Sequence, residues 1–202
     1  MVTSLKEIIE KEIKAISRIP LSDAYERAID LIFLQVHQKK GKLVCSGMGK
    51  AGQVASNIAT TFSSTGTPAC FLHPSDAQHG DLGILRENDV MLLISNSGKT
   101  REIIELIGLA RQLVKDIRLI VITSNEESEL AKNADVCLLT GNPPEVCALG
   151  LTPTTSTTVM NVIGDLLVVE TMKRIDFTAA DYAKRHHGGY LGAVSRMQSG
   201  KF

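Results

Sequence analysis

Val90-Met91-Leu92-Leu93-Ile94-Ser95-Asn96-Ser97-Gly98-Lys99-Thr100 is the stretch on which the fold turns. Five apolar residues in a row, with no polar alternation, describe a strand covered on both faces. A turn of hydroxyls and glycine follows at once, and a helical pattern opens at Arg101. The same grammar occurs upstream, where Leu43-Val44-Cys45 runs into Ser46-Gly47-Met48-Gly49-Lys50-Ala51-Gly52. Such a turn leaves backbone N–H groups free at a helix N-terminus, where hydroxyls and the helix dipole favour an anion. Two of them predict a phosphorylated ligand at the carboxyl edge of a parallel sheet, held by Ser46, Gly47, Ser95, Asn96, Ser97 and Thr100.

Outward from these two turns the chain alternates. Short apolar strands are expected at 42–46, 69–72, 89–95, 118–123 and 135–140, with helices at 50–64, 100–115, 127–133 and 156–175. The interval His73 to Asn88 reads as a loop with at most a short helix. Two helices come first. Ser4 and Glu7 offer a capping box for a helix carrying Leu5, Ile8, Ile9, Ile13 and Ile16, which Pro20 ends. A second, from Ser22, places Ala28, Leu31, Ile32 and Val36 on one face and stops near Gly41, a suitable C′ residue. Apolar strands joined by helices predict a three-layer α/β/α sandwich on a five-stranded parallel sheet, doubly wound in the flavodoxin manner. One domain is expected over 1–202: helices at 1–40, a core at 41–175, and a C-terminal active-site loop and tail at 176–202. Strand order is not written in the sequence.

The chain has 202 residues, enough to bury a core without disulfides or metal staples. Its 22 basic and 22 acidic residues balance, which gives no sign of a nucleic-acid or membrane-surface partner. Four cysteines form no C-x-x-C pair; three lie in apolar, strand-like segments and read as buried thiols in a reducing compartment. The amphipathic N-terminus is no signal peptide, and no apolar run approaches the roughly 20 residues of a membrane span. The expectation is a cytoplasmic protein.

Gly47, Gly49 and Gly52 form a literal G-x-G-x-x-G. A dinucleotide site also needs an acidic residue at the end of the next strand, and no carboxylate occurs until Asp76. Gly98-Lys99-Thr100 imitates the end of a P-loop, but Leu93 stands where its first glycine belongs. What remains is a monophosphate cradle of Ser46, Ser95, Ser97 and Thr100. The alternative for any one hydroxyl is that it caps a helix or closes a turn.

GMGKAG, STGTPACFLHPSDAQHGDLG, SNSGKTREI, EVCALGLTPTTST and HHGGYLG follow one another in order. Together they resemble the sugar isomerase (SIS) domain of arabinose-5-phosphate isomerases, over residues 40 to 192. The resemblance implies interconversion of ribulose 5-phosphate and arabinose 5-phosphate for 3-deoxy-octulosonate (Kdo) synthesis. It places Lys50, Glu102, Glu145 and His186 at catalytic positions, and Gly66, Thr67 and His73 at substrate-contacting ones. Relatives commonly carry a pair of cystathionine-β-synthase repeats, whereas this sequence ends about ten residues after HHGGYLG, so a form without them is expected. The family's His-Pro-Gly-Gly is here His186-His187-Gly188-Gly189; residue order favours His186 as the acting histidine. Relatives can bind zinc at the position of His73. No H-x-E-x-H or C-x-x-C spacing supports a required metal, and neither metal nor cofactor is expected.

Aldose–ketose isomerisation needs a base to move a proton between C1 and C2, an acid for the oxygens, and a group to stabilise the enediolate. Glu145, after the last strand and beside an apolar run, is read as the base, its pKa raised by desolvation. Glu102 lies in the first turn of its helix, where a carboxylate also serves the dipole. Lys50 can neutralise phosphate or enediolate oxygen. His73 and His79 are read as groups for sugar hydroxyls or ring opening, and His37 as surface. Rival readings are another SIS-type isomerase, for sedoheptulose 7-phosphate or a hexulose 6-phosphate, and a non-catalytic phosphosugar-binding module. The helix around Val159–Met172 is apolar on almost every side, as helices at oligomer interfaces are. A homotetramer with shared active sites is expected, His186 or His79 reaching the partner's Lys50–Glu145 cluster.

Overall fold

The structure, a computed structural model, describes residues 2–200; the outermost positions of the expected first and last segments lie outside them. Leu43–Gly47 (β1), Ala69–Phe71 (β2), Val90–Ile94 (β3), Arg118–Thr123 (β4) and Val136–Leu139 (β5) form one sheet. All neighbours are parallel, in the order β2-β1-β3-β4-β5. Every residue of β1 and β3 is buried, as their unbroken apolar runs require.

The helices are Val2–Ile16 (α1), Ala24–Ile32 (α2), Gly49–Ser64 (α3), Pro74–Ala77 (α4), Arg101–Leu113 (α5), Glu129–Lys132 (α6), Thr155–Arg174 (α7), Ala179–Ala183 (α8) and Gly189–Gln198 (α9). Successive strand residues point to opposite faces, so the sheet has two cores. Leu43, Cys45, Val90, Leu92 and Ile94 pack with Ile32, Ile58, Phe62, Ile163 and Leu167 of α2, α3 and α7. Val44, Met91, Leu93, Leu119 and Val121 pack on the other side with Ile103, Leu106 and Ala110 of α5 and Leu130 of α6. Three layers result.

Local chemistry corrects several expectations. α1 starts at Val2, so Ser4 lies inside the helix and forms no capping box. Its apolar stripe faces outward: Leu5, Ile9 and Ile13 are 54, 57 and 60% exposed, while Ala15 and Ile19 enter the core. α2 continues as a π-helical segment, Phe33–Gln38. Lys40 takes the left-handed conformation expected of a C′ residue (φ 64°). Gly41 is needed instead because any Cβ there would overlap the carbonyl of Asn88. The tail is not a loop: Thr178 and Asp181 form a full capping box that starts α8, and α9 follows. α7 is apolar all round because it packs against α1, α2 and α3 within the chain; Val169 remains 48% exposed. Among the described residues no helix is long and apolar enough to cross a membrane.

Candidate active site

In this strand order β1 and β3 are neighbours, and the helices that follow them, α3 and α5, lie on opposite faces of the sheet. The chain therefore parts at their carboxyl ends and leaves a crevice, where ligands of doubly wound sheets bind. A cleft of about 770 Å³ opens there. Met48, Lys50 and Ala51 line it from the first turn, Ser95, Asn96, Ser97 and Thr100 from the second. Ser124 after β4, Asn142 to Glu145 after β5, and Ser156 and Thr157 at the start of α7 complete the wall.

The second turn is built by its own hydroxyls. Ser95 Oγ accepts from the Gly98 N–H at 3.1 Å and lies 2.7 Å from Thr100 Oγ1. Ser97 Oγ accepts from the Lys99 N–H at 3.2 Å. Ser124 donates both its N–H and its Oγ–H to the Asn96 carbonyl, which fixes the turn to β4. The side-chain Oδ1 of Asn96 is buried with no hydrogen-bond partner among the described residues.

The first turn divides differently from the sequence expectation. Ser46 is fully buried and donates to the Leu72 carbonyl at 2.6 Å, so its hydroxyl ties β1 to the end of β2 and does not reach the cleft. Gly47 also stands outside the lining. Its glycine is required because a Cβ would come 2.7 Å from the Ala51 carbonyl oxygen, where α3 closes on the end of β1. Lys50, in the first turn of α3, does face the cleft, and its ammonium donates to Gln53 Oε1 at 3.3 Å.

Glu145 is the most heavily bonded group of the cleft. Its Oε2 accepts from the Thr154 N–H at 2.7 Å, the Thr154 hydroxyl at 2.9 Å and the Ser156 N–H at 3.3 Å. Its Oε1 accepts from the Ser156 hydroxyl. Partial burial pushes its pKa up, but the bonds from Ser156 and Thr154 outweigh that and hold it below the usual value. The expected upward shift is thus reversed, because the Ser156 hydroxyl, then the N–H and hydroxyl of Thr154, converge on the carboxylate where α7 opens. Thr154, Ser156 and Ser124 were missed from sequence. The signal for Thr154 and Ser156 was the hydroxyl run Thr152-Pro153-Thr154-Thr155-Ser156-Thr157-Thr158, typical of a helix start that receives a carboxylate; Ser124, after β4, stands outside it.

The remaining candidates are not brought to this cleft within one chain. Glu102 is half-buried in the first turn of α5, outside the lining. His186 stacks on Tyr182 at 3.7 Å between α8 and α9, with Nδ1 3.1 Å from the Tyr182 carbonyl. Gly66 and Thr67 precede β2 and so lie at the sheet's amino edge. His73 and His79 follow β2, the outermost strand; His73 Nδ1 lies 3.8 Å from Asp76 Oδ2. His37 is not simple surface: its Nε2 lies 3.0 Å from the buried Thr67 Oγ1, and burial, then Lys40, lower its pKa. Among the described residues no three His, Cys, Asp or Glu side chains gather as a metal site.

A model of the SIS domain matches residues 36–170. The chain belongs to the SIS domain family. Its fold is that of a solved Bacteroides fragilis protein proposed to be a phosphosugar isomerase involved in capsule formation. The two are 66% identical with a TM-score of 0.93, over 94% of this chain and 99% of that one. An Escherichia coli CFT073 protein solved in complex with arabinose 5-phosphate is 36% identical with a TM-score of 0.82, over 92% of this chain and 96% of that one. The arabinose 5-phosphate isomerase KdsD of Yersinia pestis is 44% identical over 93% of this chain. This SIS domain spans about half the length, 56%, of that relative.

The cysteines of this SIS domain differ sharply. Hydrogen bonds from Thr152 bring the Cys147 thiol, in the loop after Glu145, down to about 7; its Sγ lies 3.2 Å from the Thr152 nitrogen. Burial pushes Cys45 far above the ordinary thiol value. Iodoacetamide at pH 7.5 is expected to label Cys147 first and to leave Cys45 untouched until unfolding. Peptide mapping that found Cys45 modified early would contradict the assignment.

Proposed function

We propose that this SIS domain is an aldose–ketose isomerase interconverting D-ribulose 5-phosphate and D-arabinose 5-phosphate, in the service of Kdo synthesis. The observation that carries the reading is one cleft holding three things together: the Ser95–Thr100 cradle at the N-terminus of α5, Lys50, and an ionised Glu145. The kinship with proteins named arabinose 5-phosphate isomerase, and with one bound to arabinose 5-phosphate, selects the substrate.

In this reading the phosphate rests on the cradle, where free N–H groups and the α5 dipole meet its charge. Glu145 removes a proton from C1 of ribulose 5-phosphate, and the electron pair moves to the C1–C2 bond as the C2 oxygen gains negative charge. Lys50 stabilises that enediolate oxygen. The O1 proton passes to the C2 oxygen, and the protonated Glu145 returns a proton to C2, which gives the aldehyde of arabinose 5-phosphate. The scheme calls on no metal. Incubated with ribulose 5-phosphate in deuterium oxide without added metal, the protein is expected to yield arabinose 5-phosphate labelled at C2 by NMR. Turnover of sedoheptulose 7-phosphate alone, with none of the pentose phosphate, sinks the reading.

The same reading gives the distant candidates a place. Glu102 is assigned to the sugar oxygens beside the cradle. His186, His79 and His73 are assigned to the site of a neighbouring copy in a cytoplasmic homotetramer; Thr67, 1% exposed and bonded to His37, and Gly66, packed against Phe177, are read as structural. The exposed Leu5, Ile9 and Ile13 stripe on α1 supports self-association, since contiguous apolar surface of this kind marks contact sites. Mixing inactive Glu145→Gln and His186→Ala proteins under subunit exchange is expected to restore part of the activity. A fully active monomer in ultracentrifugation excludes shared sites.

A further inference from the structure

A second cavity, of about 360 Å³, lies between α1 and the segment Thr140 to Glu145. Lys11, Lys14 and Arg18 line it, and among the described residues none of the three makes a salt bridge. The adjacent carboxylate on α1, Glu12, is turned away and accepts from the Thr155 hydroxyl at 2.8 Å. Asn142, Pro143, Pro144 and Glu145 line this cavity and the main cleft alike, so the loop after β5 is the partition between them.

We infer that this cavity is a second anion site, which takes a phosphate-bearing small molecule and acts on Glu145 from the side opposite the cradle. Three cations converge on it, and among the described residues the only carboxylate lining it is Glu145, so the surplus of charge matches a phosphomonoester or diphosphate dianion. Its volume falls in the range of small-molecule sites and exceeds what a lone ion needs. The carboxyl end of α1 favours a cation in its last turn, which accounts for Lys14. It does not account for Lys11, a turn earlier, or Arg18, beyond the helix, on the same cavity. Coupling follows from the wall. Glu12 pins α1 to Thr155, while Thr154 and Ser156 beside it hold Glu145. An anion on the far side of the partition opposes the charge of Glu145 and disturbs the loop that carries it.

Pyrophosphate is the probe, titrated calorimetrically in 0.15 M NaCl, where non-specific surface attraction is largely screened. The unmodified protein is expected to show two binding events. Lys14→Ala with Arg18→Ala, both exposed side chains, weakens one event at least tenfold and spares the other; Ser95→Ala with Ser97→Ala does the reverse. A single event, unaffected by the Lys14 and Arg18 substitutions, overturns the site. Only the consequence for turnover rests on the isomerase reading: pyrophosphate should lower kcat in the unmodified protein, and that component should vanish in the Lys14 and Arg18 variant. Two events in a protein without isomerase activity keep the anion site and sink the isomerase reading alone.

Discussion

Glu145→Gln is expected to lower kcat by about 100- to 10,000-fold, the range for removing a positioned general base. KM should barely move, because the proposed phosphate cradle, Ser95–Thr100, is a separate part of the cleft wall. The amide oxygen of glutamine still accepts from Thr154 and Ser156, so the start of α7 holds and the loss is chemical. The pH profile gives a second reading. Because the bonds from Ser156 and Thr154 hold Glu145 below the usual carboxylate value, the base stays ionised to lower pH than an ordinary glutamate. The acid limb of kcat/KM then lies below that of an ordinary glutamate, and Ser156→Ala should move it upward. The sign for stability agrees. A depressed carboxylate stabilises the fold above its unfolded pKa, and that contribution is lost as the pH falls through the folded value. A Glu145→Gln protein with normal turnover would falsify the assignment of the base.

Asp89→Ala is expected to cost about 3–5 kcal/mol of stability, read as a lower urea midpoint. Asp89 is 1% exposed and joins the amino ends of the two strands that flank the crevice. Its carboxylate accepts from the Lys42 N–H at 2.9 Å, the Arg86 N–H at 2.8 Å and the Lys42 ammonium at 2.5 Å. Alanine leaves two backbone donors and a half-buried cation without a partner. Against a typical total of about 5–15 kcal/mol this is a large fraction. Asp89→Asn keeps an acceptor and should lose less. A change below about 1 kcal/mol would place Asp89 among ordinary surface pairs. Since Asp89 sits at the edge opposite the cleft, turnover per folded molecule should be retained.

The parallel sheet was legible because its evidence is local. Val90–Ile94 and Leu43–Cys45 carry no polar alternation, and only strands covered on both faces read that way. The two turns were legible for the same reason: free N–H groups, hydroxyls and glycine at a helix start are properties of consecutive residues. The helical tail was missed although its capping signal, Thr178 and Asp181, stood in the sequence. The outward face of α1 could not be read, since a helical stripe shows periodicity and says nothing of which side meets the core.

By itself, then, the sequence determined a doubly wound sheet with a hydroxyl- and glycine-rich turn at Ser95–Thr100 opening a helix, and which carboxylates, lysine and histidines were available for chemistry. Tertiary structure decided what they face. The order β2-β1-β3-β4-β5 alone sets β1 beside β3 and opens the crevice between their helices. The partner of each polar group was likewise set by how the chain folds back, over 26 residues for Ser46 and over 9 to 11 for Glu145. Ser46 spends its hydroxyl on Leu72, while Glu145 receives the donors of Thr154 and Ser156 and loses proton affinity instead of gaining it. A pKa and a free hydroxyl depend on who supplies the hydrogen bond, and that neighbour exists only once the chain has folded.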